Sequence, residues 1–175
     1  MSYYRQQLEQ WLSELNVKAD TVLDIGGIQG EVKNRVKSWN VINYEVLDLP
    51  DWDLDKKWQM YPTASVIFCL EVFEYLINPY EAIKNIESCL RQDGVAYITF
   101  AFAYPHHNEL EMDSLRYTES GIKRLAESAG LRINNIWYRR DKSGLLKSFY
   151  IADGMRMAKQ YPNHDVTGFI MEFTK

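Results

Sequence analysis

The residues able to do chemistry fall in a few tight groups. The first is the stretch at 21–30, TVLDIGGIQG, where Asp24 is followed by Gly26, Gly27 and Gly30. Glycines so spaced permit positive φ or a ligand lying against the backbone. Aspartate ahead of them suits a positively charged group better than a phosphate. Other acids recur further on: Glu45 and Asp48, then Asp53 beside Leu54, then Glu71 and Glu74 next to Tyr75. A loop at 104–117 gathers Tyr104, His106, His107, Arg116 and Tyr117. Acids, histidines and tyrosines of this kind can move protons, and arginine and tyrosine can hold an acidic or sugar-like molecule.

The elements that must position these groups read as an alternation. Leu8, Trp11, Leu12 and Leu15 share one face of a helix over about 2–15, a flank or lid. Val22, Leu23 and Ile25 form a buried strand, and Val32 and Val36 at helical spacing predict a helix opening from the glycines. Residues 41–49 read as a strand ending in the acidic turn PDWDLD, and 64–70 (ASVIFCL) as a central strand buried on both faces. Asn78, Pro79 and Glu81 start a helix that runs to about Leu90. Asp93-Gly94 predicts a tight turn into a strand at 95–102. A helix follows at 118–129, closed by Gly130, then a strand at 131–138, a mostly helical stretch at 145–159 and a last strand at 167–174. Strands alternating with helices predict a doubly wound α/β sheet, whose ligands sit beyond the C-terminal strand ends.

The bulk properties bound the function. With 175 residues the chain should form one domain, long enough to bury roughly two thirds of its unfolded surface. A net charge of −4 argues against nucleic acid or anionic lipid as a partner. Arg139, Arg140 and Lys142 form the only compact basic cluster and read as a solvated turn. No apolar run approaches a membrane span, Cys69 and Cys89 sit in apolar patterns as reduced core residues, and no Cys/His group has metal-ligand spacing. A soluble cytoplasmic protein without a metal is expected.

Two phosphate-binding patterns are excluded. Aligning G-x-G-x-x-G on Gly26 puts Ile28 and Glu31 where glycines belong, and Gly30 is followed by Glu31 and Val32 instead of Lys and Ser/Thr. The order of Asp24, Gly26 and Gly30 instead resembles D-x-G-x-G-x-G of the class I S-adenosylmethionine-dependent methyltransferases, of the small-molecule kind called type 11. Ile28 replaces the middle glycine and is expected to narrow the loop. SVIFCLEVFEYLINPYEAIKNIESCLRQDGVAYITFAF is similar to the family's stretch from fourth to fifth strand, with Ser65 for its usual aspartate and Tyr75 for its usual histidine. DSLRYTESGIKRLAESAG is similar to its R-Y-T-x-x-G-L segment. The likeness covers about 20–136.

The resemblance implies a mostly parallel, seven-stranded Rossmann-like sheet with helices on both faces and the last strand antiparallel. It implies S-adenosylmethionine as cofactor. Asp24, Gly26, Gly27 and Gly30 would hold its amino-acid end, with Asp24 facing the ammonium. Glu45 or Asp48 would bind the ribose hydroxyls; Asp48 is preferred because it lies at the strand's exit. Asp53 and Leu54 would meet the adenine, and Leu70 and Glu71 would border the methionine portion. Methyl transfer is a direct displacement that needs positioning and exclusion of water, with a base only where the accepting atom carries a proton. Tyr75, His106, His107 and Glu74 are the candidates for that base. Tyr104, Arg116 and Tyr117 would recognise the acceptor, although Arg116 could instead pin the loop to a carboxylate.

No D/N-P-P-Y/F and no Pro-Cys follows the fourth strand, which disfavours methylation of nucleobases. The expected activity is methyl transfer to an oxygen or nitrogen of a small-molecule acceptor. Ile28, Ser65 and Tyr75 keep a rival in play, a methyltransferase-like domain without catalysis that serves as a cofactor-binding or partner subunit.

Overall fold

The structure, a computed structural model, describes residues 1–28, 30–105, 112–143, 146 and 165–175. The described residues form helix α1 (Tyr3–Glu14), strand β1 (Asn16–Ile25), β2 (Ser38–Leu47), β3 (Ala64–Cys69), α2 (Pro79–Cys89), β4 (Leu90–Ala101), α3 (Glu119–Ser128), β5 (Arg132–Arg140) and β6 (Val166–Thr174). Short 3₁₀ turns stand at Val32–Asn34 and Phe73–Tyr75.

The strands make one six-stranded sheet in the order β2-β1-β3-β4-β6-β5. β1 pairs in parallel with β2 and β3, and β3 with β4, while β6 runs antiparallel between β4 and β5. The fold is therefore mixed α/β, mostly parallel, with the last strand antiparallel as the resemblance implies. Six strands are present among the described residues where seven are expected. The helical expectation for 145–159 lies outside the described residues, Leu146 apart.

Alternation along the strands sends side chains to two cores. On one face Leu8 and Leu12 of α1 pack with Val17, Val22, Val66, Phe68 and Ile170. Trp11 adds edge and tilted ring contacts to Tyr97 and Trp137, with centroids at 5.3 and 5.5 Å. On the other face Ile83 and Ile86 of α2 and Ile122 and Leu125 of α3 cover Leu23, Ile67, Ile98, Phe100 and Met171. Helices thus lie on both faces, and α1 is a cover of the sheet more than a lid.

Local chemistry sets the helix starts. The Ser2 and Thr118 hydroxyls accept from the N–H groups of Arg5 and Gly121, and Asn78 accepts from Glu81, with Pro79 in the first turn of α2. Gly130 follows α3 with φ at +75°.

Two expectations of local structure change. The helix predicted from Val32 and Val36 is only the 3₁₀ turn Val32–Asn34, because β2 begins at Ser38 and leaves a crossover of about a dozen residues, the minimum for a parallel pair. Asp93-Gly94 is not a turn between separate elements. β4 starts at Leu90, directly after α2, and its register against β3 slips between the Ala64 and Val66 pairings. Gly94 lies at that irregularity, where a Cβ would come within 2.8 Å of Leu90 and 3.1 Å of the Ser65 carbonyl.

Candidate functional site

A cavity of about 460 Å³ opens where β1, β2 and β3 end. It takes Ile25, Gly26 and Gly30 from the glycine loop, Asp48, Leu49, Trp52, Asp53 and Leu54 from the segment after β2, and Leu70, Glu71, Val72 and Tyr75 from the segment after β3. Arg5 and Arg35 close one side. The parallel register explains the convergence: Ile25 pairs with Leu47 and with Cys69, so all three strands release their chains at one level.

The glycine loop is built around Asp24. Its Oδ2 accepts from the Val32 N–H at 2.8 Å and the Tyr44 hydroxyl at 2.6 Å. Asp24 is 3% exposed, and burial raises its pKa against the pull of those two hydrogen bonds. Gly26 turns with φ at +78°, donating to the Leu47 carbonyl, and a Cβ there would strike Val72 at 2.4 Å. A Cβ on Gly27 would strike the Asp24 carboxyl at 2.4 Å. Both glycines are required by close approach. Ile28 does not narrow the cavity: its side chain is 66% exposed and points away, while its N–H donates to Asp48 Oδ2 at 3.2 Å.

Arg35 carries the loop's link to α1. It donates to the Gly30 carbonyl at 3.1 Å and holds Glu9 through both carboxylate oxygens, while Arg5 reaches the same Glu9 at 2.8 Å. Burial works against ionisation of Glu9, and the two guanidiniums outweigh it and hold the carboxyl below its ordinary pKa. Two guanidiniums sharing one carboxylate leave positive charge facing the cavity beside Gly30.

Across the cavity the wall is acidic. Asp48 and Asp53 line it, whereas Glu45 is exposed on β2 opposite Leu23 and lies outside it. Lys56 pairs with Asp53 at 2.8 Å and lowers its pKa. Asp55 is spent on the N–H groups of Ile77 and Asn78, and Leu49, Trp52, Leu54 and Leu76 supply apolar surface.

Glu71 leaves β3 in a conformation rare for a side-chain-bearing residue, φ +59°. Its N–H donates to Thr99 Oγ1 at 2.6 Å, and Thr99 returns a hydrogen bond to Glu71 Oε1 at 2.9 Å. Arg139 grips the carboxylate at 2.6 and 3.3 Å, donates to the Tyr4 carbonyl at 2.8 and 3.2 Å, and lies 3.1 Å over the Tyr4 ring. Arg139 is 1% exposed. The basic run at 139–142 is therefore no solvated turn. Strand alternation is the signal that would have found it, since Arg139 shares the α1-covered face with Trp137.

Beside this pair a second cavity, about 290 Å³, is lined by Met1, Ser2, Tyr4, Arg5, Glu71, Glu74, Tyr75 and Tyr104. Glu74 is 3% exposed, and its Oε2 has no hydrogen-bond partner among the described residues. Burial, reinforced by neighbouring Glu71, pushes its pKa up to about 8. Tyr75 borders both cavities; burial first and Glu74 second push its pKa up to about 12, so the phenol keeps its proton at neutral pH.

The remaining sequence-selected residues fall elsewhere. Arg116 grips Asp113 at 2.6 and 2.8 Å and donates to the Tyr104 carbonyl, which pins the loop. Tyr117 is buried and donates to the Phe73 carbonyl at 2.8 Å. His106 and His107 lie outside the described residues. Among the described residues no helix is long and apolar enough to cross a membrane.

Comparisons with known proteins bear on the family and the fold. The profile of the family described as Methyltransferase domain matches residues 2–158. No curated protein matches in sequence. Among solved structures, a chain of the complex between the Haloferax volcanii Trm112 methyltransferase activator and a methyltransferase is similar at TM-score 0.63 and 12% identity, over 98% of this chain and 89% of that one. Coclaurine N-methyltransferase bound to N-methylheliamine and SAH is similar at 0.61 and 13%, over 97% and 70%. Mitomycin 7-O-methyltransferase MmcR is similar at 0.62 and 12%, over 97% of this chain and 53% of its own. At such identities the likeness is one of fold.

Proposed function

The chain belongs to the methyltransferase-domain family, and from that premise we propose that it transfers a methyl group from S-adenosylmethionine to an oxygen or nitrogen of a small-molecule acceptor. The observation that carries the reading is the larger cavity, which joins the glycine turn to an acidic wall on one side and a guanidinium pair on the other. These residues fit the cofactor. Gly26 and Gly27 let the chain turn tightly against Val72 and Asp24, where any Cβ would clash, and Gly26 thereby presents bare backbone to the cavity. Arg5 and Arg35 suit the carboxylate of its amino-acid end, and the Asp24 carboxyl beneath the glycine turn favours its ammonium over a phosphate. Asp48, which lines the cavity, would take the ribose hydroxyls, and its position there supports it over Glu45, which lies outside. Trp52 and Leu54, with Asp53 at the edge, suit the adenine, while Leu70 and Glu71 border the methionine portion.

The cofactor supplies a methyl group on a positively charged sulfur. What this chain's residues contribute is binding, alignment and exclusion of water, for which a preformed pocket suffices. Glu71 is pinned by Arg139 and Thr99, which fixes the wall that the two cavities share. Tyr75 borders both cavities, which supports a role in orienting the acceptor or laying its ring against positive charge. His106 and His107 remain candidates for a base, and Tyr104 for acceptor recognition. Release of S-adenosylhomocysteine on incubation with S-adenosylmethionine and a panel of amines, phenols and carboxylic acids tests the reading. Turnover with any member supports it, and bound cofactor with none consumed across the panel contradicts it.

A second reading, a methyltransferase-like subunit without turnover, is favoured by exposed Ile42 on edge strand β2 and by the likeness to a chain of the Trm112 activator complex. Cofactor binding without turnover, together with co-purification of a partner, would support it, and turnover excludes it.

A further inference from the structure

Two residues that line the second cavity each carry a buried polar atom without a hydrogen bond among the described residues, Glu74 through Oε2 and Tyr4 through its hydroxyl, the latter turned toward Gly168 of β6. Both side chains are more than nine-tenths buried. A buried carboxyl left unpartnered is expensive, and a protein keeps one when a ligand completes it. The surroundings specify that ligand. Arg139 is the buried cation nearby, but its guanidinium is engaged by the Glu71 carboxylate and the Tyr4 carbonyl. Arg5, at the rim, is held by Glu9. The unmatched group is therefore the Glu74 carboxyl, among the rings of Tyr4, Tyr75 and Tyr104; those of Tyr4 and Tyr104 lie 4.3 Å apart.

Resting on the methyl-transfer reading, we infer that this cavity is the acceptor site and that its occupant is a small amine entering as the ammonium, paired with the Glu74 carboxylate among these three tyrosine rings. Charge and aromatic surface both point to a cation. A carboxylate would add a third negative group beside Glu71 and Glu74. The two cavities share Arg5, Glu71 and Tyr75, so an amine held here borders the larger cavity. Glu74 then has a chemical task. Its carboxylate takes one proton from the ammonium, an O–H bond forming as an N–H bond breaks, and the nitrogen is left with the lone pair that a new N–CH₃ bond requires. The electrons of the breaking S–CH₃ bond stay on sulfur.

Burial is the main cause that raises the pKa of Glu74; among the charged groups facing it, Glu71 and Asp113 oppose ionisation and Arg139 favours it. The Tyr4, Tyr75 and Tyr117 phenols, the Cys69 thiol and the Arg116 guanidinium also feel its charge. With a pKa of about 8 in the free protein, Glu74 must release its proton to receive an ammonium, so amine affinity should rise with pH up to that point.

The test uses the whole chain and three probes of one shape: benzylamine, benzyl alcohol and benzoate. Carboxyl-labelled glutamate follows Glu74 by NMR, and calorimetry follows binding. Saturating benzylamine is expected to lower the Glu74 pKa by about one unit or more. Its affinity is expected to rise about tenfold from pH 6.5 to 8.5, to fall about tenfold in Glu74→Gln and to lose its pH dependence there. The wild-type titration stands even if that variant does not fold. Equal binding of the alcohol or benzoate, no binding of the amine, or a Glu74 titration unmoved by it overturns the inference. S-adenosylhomocysteine is titrated separately. Its binding without amine binding overturns the amine site alone, whereas failure of S-adenosylhomocysteine to bind overturns the cofactor reading and, with it, the acceptor assignment.

Discussion

Glu71 and Glu74, three residues apart, show how differently the fold treats two carboxyls. Glu71 sits at φ +59°, a conformation that costs on the order of 1 kcal/mol or more, and is held there by Thr99 and Arg139. Arg139→Met should leave that carboxylate without its buried partner and lower stability by about 3–5 kcal/mol, visible as a drop of about 10 °C in melting temperature. An unchanged melting temperature would show that the pair is not formed. Glu74 Oε2, by contrast, has no hydrogen-bond partner among the described residues. Its pKa is raised in the fold, so between about 4.5 and 8 the folded chain holds a proton that the unfolded chain has lost. Its contribution is fully present below pH 4.5 and falls as pH rises through that window. Asp24, also raised, acts in the same direction. Glu74→Gln should flatten the decline of melting temperature between pH 5 and 8.5, and an unaltered decline would contradict the assignment. At Gly26 the requirement is steric. Gly26→Ala meets both the φ of +78° and the Val72 side chain, and should lose about 1–3 kcal/mol together with cofactor affinity.

At the scale of elements, α1 is the piece whose role grew most. Its apolar stripe was readable, but the stripe alone could not tell a lid from a core helix. The structure buries Leu8 and Leu12 against β1, β3 and β6, ties Gln7 to the Arg140 backbone in both directions, and sends Glu9 to the guanidinium that holds the glycine loop. Leu8→Ala should therefore cost about 2–5 kcal/mol, as a core truncation does, where a lid residue would change stability little. The strands and α2 and α3 were legible because short apolar runs, Asn78-Pro79 and Gly130 are local signals. The helix expected after the glycines was not, because Val32 and Val36 carry the right spacing while the short crossover to Ser38 leaves no room for it. Arg139 escaped because a basic run reads as solvent-exposed until a strand face is assigned to it. Tyr44 escaped because its bond to Asp24 depends on β2 lying beside β1, a pairing that no local pattern specifies.

For the whole molecule, the two cavities and the bridge between them are what the sheet order produces. Three parallel strands end at one level, α1 covers one face, and the insertion of β6 beside β5 carries Arg139 back under Tyr4. Of the ten residues assigned from sequence to the cofactor, Gly26, Gly30, Asp48, Asp53, Leu54, Leu70 and Glu71 line one cavity, whereas Asp24, Gly27 and Glu45 are not among its lining residues. Of the three residues assigned from sequence to the acceptor, Tyr104 lines the second cavity, whereas Arg116 holds Asp113 and Tyr117 is buried, because the fold of the segment after β4 is not written in a local pattern. The central claim is that the larger cavity binds the cofactor of a methyltransferase. Calorimetric titration of S-adenosylhomocysteine into the wild-type chain tests it most directly. One site per chain with micromolar affinity, weakened about tenfold or more in Asp48→Asn, is the result expected; no heat of binding at millimolar ligand would contradict it.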